Sequence, residues 1–256
     1  MNVFTVSIAD AQTFLIILAR IAGIIFTAPV FDSRNIPIQV KAGLSAALAI
    51  VLFPTITARF ESDSVWGLGA SLLGEAAIGM IIGLGARIIF SAVELAGQVI
   101  GFQMGLGIVG VIDPFSQDQS SLLAQFQNIL AMMLFFALNI HHIFLAAVAK
   151  SYVLVPISGF TLSGPLVKIL MSMAGSMFVL SLKIGAPIMA VNLFVSVGLG
   201  VVARTVPQIN VFIVGFPLKI GVGLLTFGVS LPFLGAVIKT AFVSIGPHVD
   251  ALLRAM

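Results

Sequence analysis

Charge is scarce along this chain and never gathers. Arg20, Glu75, Arg87, Glu94 and Lys183 each stand alone inside long apolar stretches. Only 8% of residues are charged while 60% are hydrophobic, where a soluble domain carries roughly a quarter charged. Such blocks cannot build a fold whose outer faces are solvated by water. The chain reads as an all-α integral membrane protein, and membrane lipid is its first expected partner. Every polar side chain inside an apolar block then needs a specific reason to be there.

The same scarcity excludes several functions. A net charge of +3 with no basic run gives nucleic acid nothing to hold. With no cysteine, disulfides, thiolate metal sites and cysteine nucleophiles are ruled out. The first cation is Arg20 and the apolar stretch 11–30 is too long for a cleavable signal, so it is expected to be retained as the first helix. One Trp and one Tyr make a thin aromatic belt.

Turn chemistry separates the chain into blocks. Loops are expected at 29–37, 54–64, 113–118, 155–165 and 204–210. Between them lie about six hydrophobic helical blocks, at 11–28, 38–53, 65–112, 119–154, 166–203 and 211–240. No polar stretch is long enough to fold apart, so residues 1–256 read as a single membrane-embedded helical domain. A 30 Å hydrocarbon core needs about 20 helical residues. The third block would make a helix of about 70 Å and the fifth one of more than 50 Å, so both must bend, break or leave the hydrocarbon. Gly185-Ala186-Pro187 is the natural break in the fifth, and Gly79, Gly83 and Gly85 interrupt the third. Basic residues favour an inside C-terminus, with Lys150, Lys168, Lys239 and Arg254 on one side.

An intramembrane charge costs about 2.5–3.5 kcal/mol near a helix centre on insertion scales. Arg20, Glu75, Arg87 and Glu94 lack evident partners on their own helices. Arg87 and Glu94 lie two turns apart, about 10 Å, which is long for a direct pair. Pairing within the bundle, contacts to a companion subunit and an ion relay are the readings open to them. His141 and His142 are adjacent and point about 100° apart on a helix, which suits hydrogen bonding better than a shared metal. No Gly-x-Ser-x-Gly, phosphate-binding loop or His-Glu-x-x-His is present. No catalytic, cofactor or metal residue is assigned, and the chain is not expected to be an enzyme.

Gly97, Gly101 and Gly105 recur every fourth residue, a helix-packing face that lets another helix approach closely. Glycine continues to Gly110 and the run ends at Asp113-Pro114. Residues 102–115 are therefore apolar but poorly helical, and irregular backbone at membrane depth is tolerated only inside protein or lining a cavity. That is a gate-like signature.

These residues resemble a known family. Glu94-Leu-Ala-Gly-Gln-Val-Ile-Gly-Phe-Gln-Met-Gly105, Asp113-Pro114, Asn139-Ile-His-His142 and the stretch 204–220 (RTVPQINVFIVGFPLKI) are similar to the FliR/SpaR-type proteins of type III secretion export gates. Arg20, Ala28-Pro29-Val30-Phe31 and Pro37-Ile-Gln-Val-Lys41 fit as well, so the likeness runs from about 20 to 231. It implies a subunit of the flagellar export gate, built of long, broken helical hairpins with FliP, FliQ and FlhB inside the basal-body ring of the bacterial inner membrane. Unfolded flagellar proteins would pass through the pore it helps to form. Phe102, Met104, Leu106, Ile108, Val109, Val111, Ile112, Asp113, Pro114 and Phe115 would form the plug. Arg20, Glu75, Arg87, Glu94, Arg204, Pro207, Gln208, Asn210 and Lys219 would contact other subunits. A secondary transporter is the competing class, kept open by paired breaks near Gly83/Gly85 and Gly185/Pro187.

Overall fold

The computed structural model describes residues 7–29, 31, 36–56, 59–106, 122–208 and 210–256. All regular structure in them is helical. In chain order the α-helices are α1 (Ile8–Thr27), α2 (Ile38–Leu52), α3 (Val65–Met104), α4 (Leu122–Ala137), α5 (Ile140–Leu154), α6 (Gly164–Thr205), α7 (Val211–Val243) and α8 (Ile245–Ala255). Among the described residues, five helices or unbroken helical runs are long and apolar enough to cross a membrane, and α4 with α5 adds a sixth if that broken pair counts as one span. The protein is a multi-pass membrane protein by length and composition.

Of the three courses open to the two overlong blocks, breaking is not the one taken. Neither breaks at its glycines or proline. α3 runs 40 residues straight through Gly79, Gly83 and Gly85, and α6 runs 42 residues with Pro187 inside it. At 1.5 Å per residue each carries about 60 Å of helix, twice a hydrocarbon core. The broken-helix pattern that favoured a transporter is therefore missing from both. The break that does occur was not anticipated. The fourth block stops at Leu138 and Asn139, where Asn139 takes φ 54°, a left-handed geometry Asn tolerates better than most residues.

The chain divides into two compact units, one of residues 1–88, 139–174 and 243–256, the other of 89–138 and 175–242. In the first, α1 starts with a capping box in which Ser7 and Asp10 satisfy each other's backbone N–H groups. Gln12 exchanges two hydrogen bonds with the backbone of Ser62, and Thr13 accepts from the N–H of Phe60. These bonds pin the 59–64 loop along α1. Helix α8 lay beyond the last expected block. Its Ile245, Val249, Leu252 and Leu253 fall on one face and are buried, with Leu252 packed beside Leu166 and Met173.

In the second unit, Phe90, Phe135 and Phe242 form an aromatic cluster with ring centroids 5.5–5.9 Å apart. Ile100 and Met104 on α3 are fully buried. Glycines let the helices close here: a methyl group at Gly97 would collide with Ala124 of α4, and one at Gly223 of α7 would meet the Met104 side chain.

Candidate functional site

Two places in the molecule combine unusual residues with tight geometry, one in each unit. In the first unit, Arg20 and Glu75 are both wholly shielded from solvent. Arg20 Nε donates to Glu75 Oε2 at 2.5 Å. The other guanidinium nitrogens donate to Ser151 Oγ at 3.1 Å and to the Val155 carbonyl at 3.0 Å. The Tyr152 ring lies 4.2 Å beneath the guanidinium carbon, a cation–π contact. Glu75 Oε1 accepts from the Ser158 N–H at 3.0 Å.

That last bond needs a special turn. Gly159 N–H bonds back to the Pro156 carbonyl, and Ser158 sits at the third position with φ 61°, a conformation that costs a non-glycine residue about 1–2 kcal/mol. Ser158 Oγ also meets Ser71 Oγ at 2.8 Å, one turn before Glu75.

The helices that carry the pair come together through small residues. On α3, Glu75, Gly79 and Gly83 recur every fourth residue, and on α1, Arg20, Gly23 and Thr27 make the facing row. Methyl groups at Gly23, Gly79 or Gly83 would drive into backbone or side-chain atoms of the opposite helix. The backbones thus approach closely enough for a short ion pair with no water between. For Arg20 and Glu75 the sequence leaves open both pairing within the bundle and contact with a companion subunit. The structure closes them on each other and on the 155–158 turn, because only a fully paired charge can be buried this deeply. The 3.6-residue rows were legible in advance. The backbone donors and acceptors of Val155 and Ser158 carry no side-chain signal.

In the second unit the relevant geometry is the end of α3. Gly105 has φ 86°, its N–H bonds to the Phe102 carbonyl at 3.0 Å, and Leu106 N–H bonds to the Gly101 carbonyl at 2.9 Å. This pair of bonds around a left-handed glycine is a Schellman stop. A side chain at Gly105 would also strike the Phe216 ring of α7. The helix therefore ends inside the glycine run, after Met104. Met104 is buried, Phe102 is 72% exposed and Leu106 is half-buried. Ile108, Val109, Val111, Ile112, Asp113, Pro114 and Phe115 lie outside the described residues.

The remaining site residues are scattered. Glu94 is half-buried and accepts from Gln98 of its own helix at 3.3 Å, and Arg87 is exposed. Arg204, Pro207 and Gln208 are exposed and Lys219 is half-buried. Asn210 precedes α7 as its N-cap, its side-chain Oδ1 accepting from Ile213 N–H at 3.4 Å. The His141 and His142 rings lie 4.2 Å apart at a 53° tilt. Among the described residues no three His, Asp or Glu side chains converge as a metal site.

Comparison with known proteins decides between the classes. The family model described as bacterial export proteins, family 1, matches residues 11–245. The chain belongs to this family. Three curated relatives carry the name flagellar biosynthetic protein FliR. That of Bacillus subtilis (strain 168) is 35% identical over 234 residues, covering 90% of each chain. That of Pectobacterium carotovorum is 34% identical over 84% of this chain and 82% of its own length. That of Aquifex aeolicus is 30% identical over 90% and 89%. Both the glycine stop of α3 and the Arg20–Glu75 pair fall inside the matched region.

Proposed function

We propose that this chain is a subunit of the flagellar type III secretion export gate, helping to form and to close an inner-membrane pore for unfolded flagellar proteins. The observation that carries this reading is the family match along nearly the whole chain, to relatives named for flagellar biosynthesis. FliP, FliQ and FlhB are the companions this implies, in a basal body with the C-terminus of this chain on the cytoplasmic side.

The division of labour follows from the physical differences between the two sites. The Arg20–Glu75 network is buried, hydrogen-bonded at each guanidinium nitrogen and held by close backbone contact, which suits a rigid anchor. The glycine-rich run after Met104 begins at a helix stop and continues apolar to Phe115, which suits a segment that fills a narrow lumen. Residues 102–115 are the plug in this reading, and Gly97, closed against Ala124, seats the helix from which it departs. Arg87, Glu94 and the 204–219 stretch are the contacts to companions.

The test is coexpression of the tagged full chain with FliP, FliQ and FlhB. Their joint recovery from membranes supports the gate. Deleting residues 106–111 should leave the complex assembled but leaky to small ions, whereas wild-type conductance in an assembled deletion complex removes the plug role.

A further inference from the structure

Lys183 is exposed and has no hydrogen-bond or ion-pair partner among the described residues, although it sits near the centre of α6. Leu182, Phe178 and Val179 beside it are exposed too. Four residues on, Pro187 has no N–H, so the Lys183 carbonyl loses its helical hydrogen bond. One point on an apolar rod thus presents an unpaired ammonium and a freed carbonyl.

Lipid does not account for it. Taken alone, α6 offers a slab between Lys183 and Arg204, about 32 Å of helix, which would place both cations at interfaces. The return helix forbids this. Gly215 of α7 lies against Leu199 of α6, so the antiparallel register puts Lys219 roughly level with Val195. Lys219 would then lie about 13 Å inside that slab. The alternative slab, between Lys219 and Lys239, holds Lys183 about 12 Å inside it. A slab ending at Lys183 on its other side, toward residue 163, clears Lys219 but holds Lys239, level with Gly175, about 12 Å inside it, so each of these depths strands a lysine.

We propose that the Lys183 face of α6 is a docking surface for a transmembrane helix of a companion subunit that brings an Asp or Glu carboxylate to Lys183. The ammonium fixes the sign of the partner's charge, and a hydroxyl or amide donor from the same helix would satisfy the freed carbonyl. Ala186 and Ala190, both exposed one and two turns along, leave room for the helix to approach. The inference rests on the gate reading above and specifies one of its interfaces.

The test uses the full chain coexpressed with its companions. Lys183→Glu should lower recovery of the complex at least tenfold while the chain's own abundance in membranes stays within twofold of wild type. Lys183→Met should lie between the two. A photo-crosslinker at Ala186 in the otherwise wild-type chain should capture a companion helix bearing a carboxylate, and placing Lys at that carboxylate should restore recovery with Lys183→Glu. Wild-type recovery of the Lys183→Glu complex overturns the proposal, as does a crosslinker that finds only lipid or a helix without an acid. Failure of the wild-type chain to recover any companion would instead sink the gate reading itself.

Discussion

α3 and α6 are nearly equal in length and equally apolar, yet 56% of the most apolar stretch of α3 is buried in the protein against 11% for α6. The difference lies in what their glycines meet. On α3, Gly79, Gly83 and Gly97 each sit where another helix leaves no room for a methyl group. On α6, Gly175, Gly198 and Gly200 have nothing within 4 Å of that position. Most of the one stretch is buried within its own protein, and most of the other is exposed. Hydropathy scores both alike because it counts transfer out of water and is blind to whether lipid or protein receives the side chain.

The largest test of this contrast is at the ion pair that α3 buries. Glu75→Ala leaves the Arg20 guanidinium buried with its main partner gone, and should cost about 3–5 kcal/mol. The chain should then fail to accumulate in membranes, or melt far earlier in detergent. Replacing both, with Arg20→Met and Glu75→Leu, should do less harm than either single change, since neither charge is left stranded. A Glu75→Ala protein as stable as wild type would mean that the core of α3 is not held here.

Next comes one substitution made in two places. Gly79→Ala forces α1 away from α3, an overpacking cost of about 1–3 kcal/mol that outweighs the gain of about 1 kcal/mol from helix propensity. It should lower the melting temperature of the purified chain, and a Gly79→Ala protein that melts as wild type does would contradict the close α1–α3 contact.

How far the sequence disclosed this fold depends on which physical quantity was involved. Block positions follow from apolar length, so α1, α2 and the cores of α3, α6 and α7 stand where composition put them. Helix continuity did not follow. Gly83, Gly85 and Pro187 look like breaks to a local rule, but a long apolar helix keeps its backbone bonds because hydrocarbon and protein offer no replacement. Asn139 produced a break that no proline or glycine announced. The charges were legible as residues needing partners, whereas the identity of those partners depended on a tertiary crossing. Glu75 and Arg20 are 55 positions apart, and the Ser158 N–H that completes the network looks like any other backbone group. The α8 face of Ile245, Val249 and Leu252 stands at helical spacing in the sequence, beyond the last expected block.

At the end of α3 the expected effect is smaller. Gly105→Ala must hold a side chain at φ 86° and against the Phe216 ring, and the left-handed geometry alone is worth about 1–2 kcal/mol. Destabilisation should be confined to the junction, read as faster hydrogen exchange over 100–106 with the Arg20–Glu75 end unaffected. Uniform acceleration along α3 would show that the helix responds as one body and that its stop is not a local device.

The smallest effect should come from Gly198→Ala on α6. The added methyl group has open space in the isolated chain, and an alanine in a helix is favoured over glycine by about 1 kcal/mol. The purified chain should therefore melt at the same temperature or slightly higher, opposite in sign to Gly79→Ala. In the assembled complex the two settings separate. If lipid covers this part of α6, the methyl group remains harmless and recovery with companions is unchanged. If a partner helix packs there, the same methyl group becomes an obstacle and recovery falls although the chain alone is no less stable. A drop in the stability of the isolated chain would show instead that Gly198 is already packed, and the contrast between α3 and α6 would lose its basis.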